Sequence, residues 1–404
     1  MTDQMTDTST ITRARLLADP LTDTVEPYRL HVPEEQLQDL RERLDRTRWP
    51  DRETVLDASQ GALLEKVQSL CAYWRDAYDW RRCEALINEW GSSRTVLDGL
   101  GIHFLHVRSP EPDALPLLMA HGWPGSVLEF AALVGPLTNP AAHGGAPRDA
   151  FHLVIPSMPG FGFSDKPTET GWGVARTADA WIALMERLGY HTWAAQGGDW
   201  GSAVTEAISR KAPAGLVGTH VNLPLVFPSP EEAAAATVQE QAMLASAGRY
   251  QSEQSAYAQL QATRPQTVGY SLADSPTGLA AWIYTLFQDV TDSGGDPESV
   301  LTLDQMLDDI MMYWLPNTGA SSARLYWEAA REQAAQAPPS GPNATPAGFS
   351  IFPGEAVRAS RRWIDSRYSN VLHYGELDRG GHFAAMEQPA ALAEEIRITF
   401  RAVR

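Results

Sequence analysis

The six residues GGDWGS at positions 197–202 place an acidic side chain between glycines, directly after the apolar run TWAAQ. A strand, then Gly-x-nucleophile-x-Gly, then a helix is the layout of a nucleophile elbow, whose central residue is usually serine. Here the central residue is Asp199. The alternative reading is a helix N-cap, a position that aspartate often fills. A carboxylate nucleophile would form an ester with an electrophilic carbon, so the chain should also supply groups that hydrolyse this ester.

His382 is the predicted general base for that hydrolysis. It lies in RGGHFAAMEQP, on the loop after the last apolar run, and a histidine held by a carboxylate can activate water. In elbow proteins the chain order is nucleophile, acid, histidine. Glu355, at the end of GFSIFPGE, is the preferred acid because it follows an apolar run before His382. Asp365, in a helical stretch, and Asp378, close to His382, are its rivals.

The turn HGWPGS at residues 121–126 follows the apolar run LPLLMA. Elbow proteins place one oxyanion donor at this point, a backbone N–H, and take a second from the residue after the nucleophile. The predicted donors are therefore the amides of Trp123 and Trp200, which would hold the negative oxygen formed when water attacks the ester. The alternative is a tight turn that simply needs glycine and proline.

The elements around these residues alternate between apolar strands and helical stretches from about residue 93, which predicts a parallel sheet covered on both faces. Residues 225–345 are helix-rich and interrupt the alternation. The predicted fold class is α/β, an α/β-hydrolase fold with an inserted helical cap and an N-terminal helical extension. The predicted segments are a disordered N-terminus (1–25), the extension (26–92), the first part of the core (93–224), the cap (225–345) and the second part of the core (346–404).

Two local patterns support this division. Leu37, Leu40 and Leu44 follow Pro33 at the spacing of an amphipathic helix. The stretch SSRTVLDGLGIHFLHVRS predicts a β-hairpin that turns at or near Asp98-Gly99.

Composition excludes several classes of protein. The 404 residues carry a net charge of -18, which argues against nucleic acid and against anionic membrane surfaces. The two cysteines, Cys71 and Cys83, are too few for a disulfide framework or a cysteine-based metal site. The polar N-terminus lacks a signal core, and no apolar run is long enough to cross a membrane. We therefore expect a cytoplasmic protein that needs no cofactor and no metal.

Several stretches in one order resemble the epoxide hydrolases of the α/β-hydrolase fold, in particular the microsomal-type branch with its N-terminal extension. They run from about Pro27 to the C-terminus and include YWRDAYDWRRCEALINEW, HGWPGSVLEF, PSMPGFGFSDKP, GGDWGS, TRPQTVGYSLADSPTGLAAWI, IFPGE and RGGHFAAMEQP. The membrane-bound mammalian members carry an N-terminal anchor. This chain shows none, so it resembles a soluble bacterial relative.

The resemblance implies two cap tyrosines that hydrogen-bond to the epoxide oxygen, whose negative charge grows as the ring opens. It points to Tyr257, in SAYAQLQATRP, and to Tyr326, in SSARLYWEAA. Spacing alone does not choose between these two and the other cap tyrosines, which are Tyr250, Tyr270, Tyr284 and Tyr313.

The implied reaction converts an epoxide to a vicinal diol through an Asp199 ester. The expected partner is a small epoxide, apolar or aromatic in view of the many Trp and Phe residues, encountered in detoxification or in secondary-metabolite biosynthesis. A homodimer is a further hypothesis. The alternatives are a haloalkane dehalogenase, which uses the same Asp, His and acid and a tryptophan in the place of Trp200, and a catalytically silent binding protein on the same fold.

Overall fold

A nine-stranded sheet forms the centre of the part of the chain that the computed structural model describes, residues 24–335 and 341–404. Its spatial order is β1-β2-β3-β5-β4-β6-β7-β8-β9. The strands are β1 (Glu26–Pro27), β2 (Ser92–Leu97), β3 (Leu100–Val107), β4 (Leu115–Ala120), β5 (Phe151–Pro156), β6 (Trp193–Gly197), β7 (Leu216–Val221), β8 (Ala347–Ile351) and β9 (Val371–Glu376).

The sheet is antiparallel at one end and parallel over the rest. Strands β1, β2, β3 and β5 pair antiparallel, whereas β5, β4, β6, β7, β8 and β9 pair parallel. The strands LPLLMA and FHLVIP are buried along their whole length, as expected for strands with helices on both faces. The carboxyl ends of the parallel strands meet at one edge, which is where such sheets bind ligands.

The predicted hairpin is confirmed, with β2 and β3 joined at Asp98 and Gly99. Both residues have positive φ, 49° and 77°, which is the backbone of the tight turn that suits two twisted strands.

The N-terminal extension differs from the prediction in one respect. It begins with strand β1, which pairs with β2, so it is not helical throughout. The N-terminus that was predicted to be disordered spans residues 1–25. Residues 1–23 of it lie outside the described residues.

Three helices make up the rest of the extension. They are α1 (Glu34–Asp45), α2 (Leu64–Asp76) and α3 (Trp80–Glu89). Helix α1 begins after Pro33 and buries Leu37, Leu40 and Leu44, so the predicted amphipathic helix is confirmed. Three further helices connect the strands from β4 to β7: α4 (Ala131–Thr138), α5 (Val174–Arg187) and α6 (Trp200–Lys211).

Between β7 and β8 the described residues form helices joined by loops, in the segment predicted as a cap. The helices are α7 (Pro230–Ala234), α8 (Val238–Arg249), α9 (Ala256–Thr263), α10 (Pro265–Asp274), α11 (Pro276–Val290), α12 (Leu303–Trp314) and α13 (Gly319–Ala335). A π-helical turn, Tyr250–Gln254, joins α8 to α9. After β8 the chain forms α14 (Arg361–Asp365), α15 (Ala384–Glu387) and α16 (Pro389–Phe400).

The extension packs against the cap. Helix α2 contacts α11 and α12, and α3 contacts α12. Trp74 is buried in this contact and its indole N–H donates to the sulfur of Met311 at 3.3 Å. At its rim Arg82 pairs with Asp308 at 2.7 Å. The extension therefore braces the cap helices that lie above the carboxyl edge of the sheet.

Candidate active site

Asp199 lies at the sharp turn between β6 and α6, where its φ is 49° and its ψ is -126°. Positive φ is uncommon for a residue with a side chain and often marks a functional position. The glycines on either side make the turn compact. A Cβ at Gly201 would collide with the carbonyl oxygen of Ala120, and one at Gly197 would collide with that of Gly201. The helix can therefore pack directly on strand β4 only with glycine at these places.

The side chain of Asp199 does not cap helix α6, although the alternative interpretation of the sequence expected it to. The residue occupies the N-cap position of α6, but its carboxylate caps no backbone N–H of that helix. Instead Oδ1 accepts a hydrogen bond from the backbone N–H of Trp123 at 2.8 Å, and Oδ2 lies 3.4 Å from Nε2 of His382. The loop at Trp123 comes this close because Gly122 has no Cβ that would strike Asp199.

Of the two predicted oxyanion donors, the Trp123 amide therefore points at the Asp199 carboxylate. The Trp200 amide is the first of helix α6, next to Asp199. Its role stays a prediction.

His382 follows β9 and Glu355 follows β8, so the two side chains meet at the carboxyl edge of the sheet. His382 Nδ1 lies 2.9 Å from Oε2 of Glu355, while Oε1 of Glu355 accepts from the N–H of Ala356 at 2.8 Å. Burial lowers the pKa of His382, but the carboxylates of Glu355 and Asp199 outweigh burial and hold that pKa well above its usual value. The ring is thus fixed between two carboxylates.

The rival acids lie elsewhere. Asp365 ends helix α14 and pairs with Arg361 at 2.8 Å, and Asp378 is exposed on the loop after β9. Glu355 is the candidate that the fold brings to His382.

The two predicted tyrosines line the same cavity as Asp199. Tyr257 is on α9 and Tyr326 is on α13, and their ring centroids are 5.9 Å apart. The indole of Trp123 stacks on Tyr257 at 5.2 Å, and that of Trp200 meets Tyr326 edge-on at 4.8 Å. Burial raises the pKa of both phenols well above the usual value. They therefore keep their protons at neutral pH and can act as hydrogen-bond donors.

Asp199, His382 and the two tyrosines line one cavity of about 290 Å³. The remaining wall is mostly apolar, and its side chains are those of Leu223, Leu225, Phe227, Ala247, Leu286, Val290, Ala356 and Val357. Apolar walls with a few convergent polar groups are typical of small-molecule sites. Six of the seven predicted site residues thus line this cavity, and the seventh, Trp123, contacts Asp199 through its backbone amide.

Two further residues at the site were not singled out from the sequence. Tyr250 lines the cavity, and its hydroxyl lies 2.8 Å from that of Tyr257. Residue type and spacing gave no signal that would have separated Tyr250 from the other cap tyrosines. Glu129 is half-buried beside Asp199 and His382. Desolvation of its carboxyl group, with the neighbouring carboxyl group of Asp309, raises its pKa to about 8. Residue type alone does not distinguish this carboxyl from an exposed glutamate.

Among residues 24–335 and 341–404, no group of three or more His, Cys, Asp or Glu side chains could hold a metal ion. No helix in these ranges is both long and apolar enough to cross a bilayer.

The sheet, the elbow and the inserted helices define the class of the protein as an α/β-hydrolase. A family model described as "alpha/beta hydrolase fold" matches residues 116–214, and one described as "Epoxide hydrolase N terminus" matches residues 25–130. A Stigmatella aurantiaca protein assigned to the epoxide hydrolases is 55% identical over 94% of this chain and 86% of its own length. The chain belongs to the epoxide hydrolase family, and the enzyme is an epoxide hydrolase, which acts on an ether bond.

More distant relatives agree with this assignment. Epoxide hydrolase 1 of Sus scrofa is 32% identical over 93% of this chain and 88% of its own length. The crystal structure of the juvenile hormone epoxide hydrolase of Bombyx mori matches with a TM-score of 0.86 and 27% identity, over 95% of this chain and 96% of the other. The Aspergillus niger epoxide hydrolase matches with a TM-score of 0.82 and 28% identity, over 95% and 98%. The predicted family and fold class are confirmed.

Proposed function

We propose that the protein hydrolyses an epoxide to a vicinal diol in two steps, through an ester on Asp199. One observation carries the proposal. The carboxylate of Asp199 lines the same cavity as two phenols that retain their protons. A nucleophile and acids that share one cavity can act on the two ends of one carbon–oxygen bond.

In the first step a carboxylate oxygen of Asp199 attacks one epoxide carbon from the side opposite the ring oxygen. A new C–O bond forms to Asp199, and the bond between that carbon and the ring oxygen breaks. The electron pair stays on the ring oxygen, which receives hydrogen bonds and then a proton from Tyr257 or Tyr326. These bonds strengthen as charge develops, so they lower the barrier more than they stabilise the bound substrate.

In the second step His382, oriented by Glu355, removes a proton from water, and the resulting hydroxide attacks the Asp199 carbonyl carbon. The amides of Trp123 and Trp200 hold the oxyanion. His382 returns its proton to the departing diol oxygen. The second proton of the water leaves the regenerated carboxyl group and restores the tyrosine, so epoxide plus water gives diol without a cofactor.

The cavity also bears on the substrate. Its apolar wall and its volume of about 290 Å³ suit a small or medium-sized epoxide with an alkyl or aryl substituent. We infer a substrate of this chemistry, whether it arises in detoxification or in secondary-metabolite biosynthesis. The same site would serve as a haloalkane dehalogenase only if halide, in place of an alkoxide, were stabilised in the cavity of Asp199, where the structure has two phenols.

The test is to trap the ester with a His382→Gln variant and styrene oxide. Without the base, the first step should proceed and the second should stop. Intact mass spectrometry should then show one added mass equal to that of the epoxide, on the peptide that contains Asp199. An Asp199→Ala variant, as the control, should gain no mass. Absence of the adduct in His382→Gln, with diol still produced by the wild type, would contradict the proposal, and halide release from bromoalkanes would favour the dehalogenase.

A further inference from the structure

A third tyrosine shares the cavity with the two predicted proton donors. Tyr250 opens the π-helical turn between α8 and α9, and its side chain is partly buried. Its hydroxyl oxygen lies 2.8 Å from the hydroxyl oxygen of Tyr257. Isolated π-helical turns are rare and occur frequently at functional sites. The two-step reaction gives no role to Tyr250, although it lines the same cavity as Asp199 and His382.

The direction of the hydrogen bond between the two phenols matters for the first step. A phenol carries one proton and two acceptor lone pairs. If Tyr257 donated to Tyr250, the only proton of Tyr257 would point away from the epoxide oxygen. If Tyr250 donates, the oxygen of Tyr257 accepts that bond and its own proton is free for the substrate. Burial raises the pKa of Tyr250, so at neutral pH Tyr250 has a proton to give.

We propose that Tyr250 is a positioning residue, whose hydroxyl donates to Tyr257 and thereby turns the Tyr257 proton toward the epoxide oxygen. This inference rests on the proposed function. After Tyr257 has given up its proton, the same bond stabilises the phenolate that remains. Hydrogen bonds in such a chain polarise one another, and bonds to an ionised acceptor are the stronger ones.

The arrangement makes the two donors unequal. Tyr257 is held by the Trp123 ring on one face and by the Tyr250 hydroxyl. Tyr326 makes edge-on ring contacts with Trp123 and Trp200 and also interacts with the side chain of Tyr257. The hydroxyl of Tyr250 is bonded to that of Tyr257. Tyr250 should therefore act through Tyr257 and not through Tyr326. It should also act only in ester formation, because ester hydrolysis uses His382 and the backbone amides.

A Tyr250→Phe variant keeps the ring and removes only the hydroxyl. Ester formation and ester decay should be followed separately, by rapid-mixing tryptophan fluorescence and quenched-flow mass analysis with styrene oxide. We expect the rate of ester formation to fall about 10-fold, which corresponds to one charge-assisted hydrogen bond, and the rate of ester decay to stay the same. Tyr270→Phe is the matched control, because Tyr270 is a cap tyrosine that is 71% exposed. It should change neither rate.

A double-mutant cycle separates positioning from a merely structural effect. Adding Tyr250→Phe to Tyr257→Phe should cause no further loss in ester formation, whereas adding it to Tyr326→Phe should cause the full loss again. Equal losses in both backgrounds, or an unchanged rate in Tyr250→Phe alone, would overturn the inference and leave the proposed function intact. If the wild type forms no ester on Asp199, the proposed function and this inference fail together.

Discussion

His382 lies between two carboxylates, and in the proposed cycle one of them loses its charge when the ester forms. Nε2 faces Asp199 at 3.4 Å and Nδ1 faces Glu355 at 2.9 Å. Together these charges keep the pKa of His382 well above its usual value, against the lowering effect of burial. Once Asp199 is esterified, only Glu355 still raises that pKa. The histidine therefore becomes a neutral base more readily at the step that needs one.

Replacing Glu355 by Gln should lower the pKa of His382, because a negative charge that favours the imidazolium is removed. The acidic limb of the pH profile for ester decay should consequently move to lower pH. The rate at the optimum should fall about 10²–10⁴-fold, since the ring loses its orientation. Single-turnover ester decay measured from acid to neutral pH tests this. Asp365→Asn, at the rival acid paired with Arg361, should leave the profile unchanged. A limb that stays in place in Glu355→Gln would contradict the assignment.

At the residue scale, chain order carried much of the prediction. An elbow aspartate, an acid after one strand and a histidine after the next are expected to meet, because parallel strands bring their carboxyl ends to one edge. Choosing among the cap tyrosines was a different problem. Tyr250 lies in the π-helical turn and Tyr257 in α9, so only the packing of these elements and of α13 over the cavity separates their roles.

At the element scale, the elbow depends on the close approach of α6 to strand β4. A Gly201→Ala substitution would place a Cβ against the backbone carbonyls of Ala120 and His121, and backbone atoms cannot rotate away. We expect a loss of about 1–3 kcal/mol in the free energy of unfolding, measured by urea denaturation. Gly248→Ala in helix α8, where nothing lies within 4 Å of the new Cβ, should instead stabilise by about 0.5–1 kcal/mol. Equal effects of the two substitutions would contradict this account.

The apolar runs predicted most strands because each buried strand needs such a run. Strand β1 was not predicted, since a strand of two residues, Glu26–Pro27, is too short to show a period and is identified only by its pairing with β2. The π-helical turn at Tyr250 was equally hidden, because one extra residue in a helical turn leaves no signature in residue type.

At the scale of the whole molecule, two carboxyl groups with raised pKa values lie where α12 meets the loop at residues 121–130. Asp309 on α12 is fully buried near Ser126, and burial raises its pKa to about 8, against 3.8 for the ordinary side chain. Glu129 shows the same direction of shift. The folded protein thus holds these protons more tightly than the unfolded chain does. Their contribution is fully present below about pH 4 and is lost as the pH rises toward about 8.

An Asp309→Asn variant should therefore gain stability relative to the wild type as the pH rises. At pH 5 the folded wild type still holds the Asp309 proton, whereas the unfolded chain has already lost most of it, so the wild type loses stability with every further rise in pH. Between pH 5 and pH 9 the variant should gain about 3–5 kcal/mol relative to the wild type. Thermal and urea unfolding across this range provide the measurement. Glu35→Gln, at an exposed position on α1, should follow the wild-type curve. Parallel curves for Asp309→Asn and the wild type would show that Asp309 is not a buried neutral acid.

Composition predicted properties of the whole surface, such as the net charge of -18, but not this pair of carboxyl groups. An Asp whose carboxyl group is neutral in the interior is the same residue type in the sequence as an Asp whose carboxylate is solvated. Its state depends on the docking of α12 against the loop at residues 121–130, a long-range contact that local patterns do not encode.

The central claim is that the new oxygen of the diol comes from Asp199 and not directly from water. A single turnover of styrene oxide with enzyme in excess, in ¹⁸O-labelled water, tests it most directly. The account predicts that the first diol is unlabelled and that peptide mapping finds ¹⁸O in the carboxylate of Asp199. A fully labelled first diol, with no label in Asp199, would show that water attacks the epoxide directly and would contradict the ester mechanism.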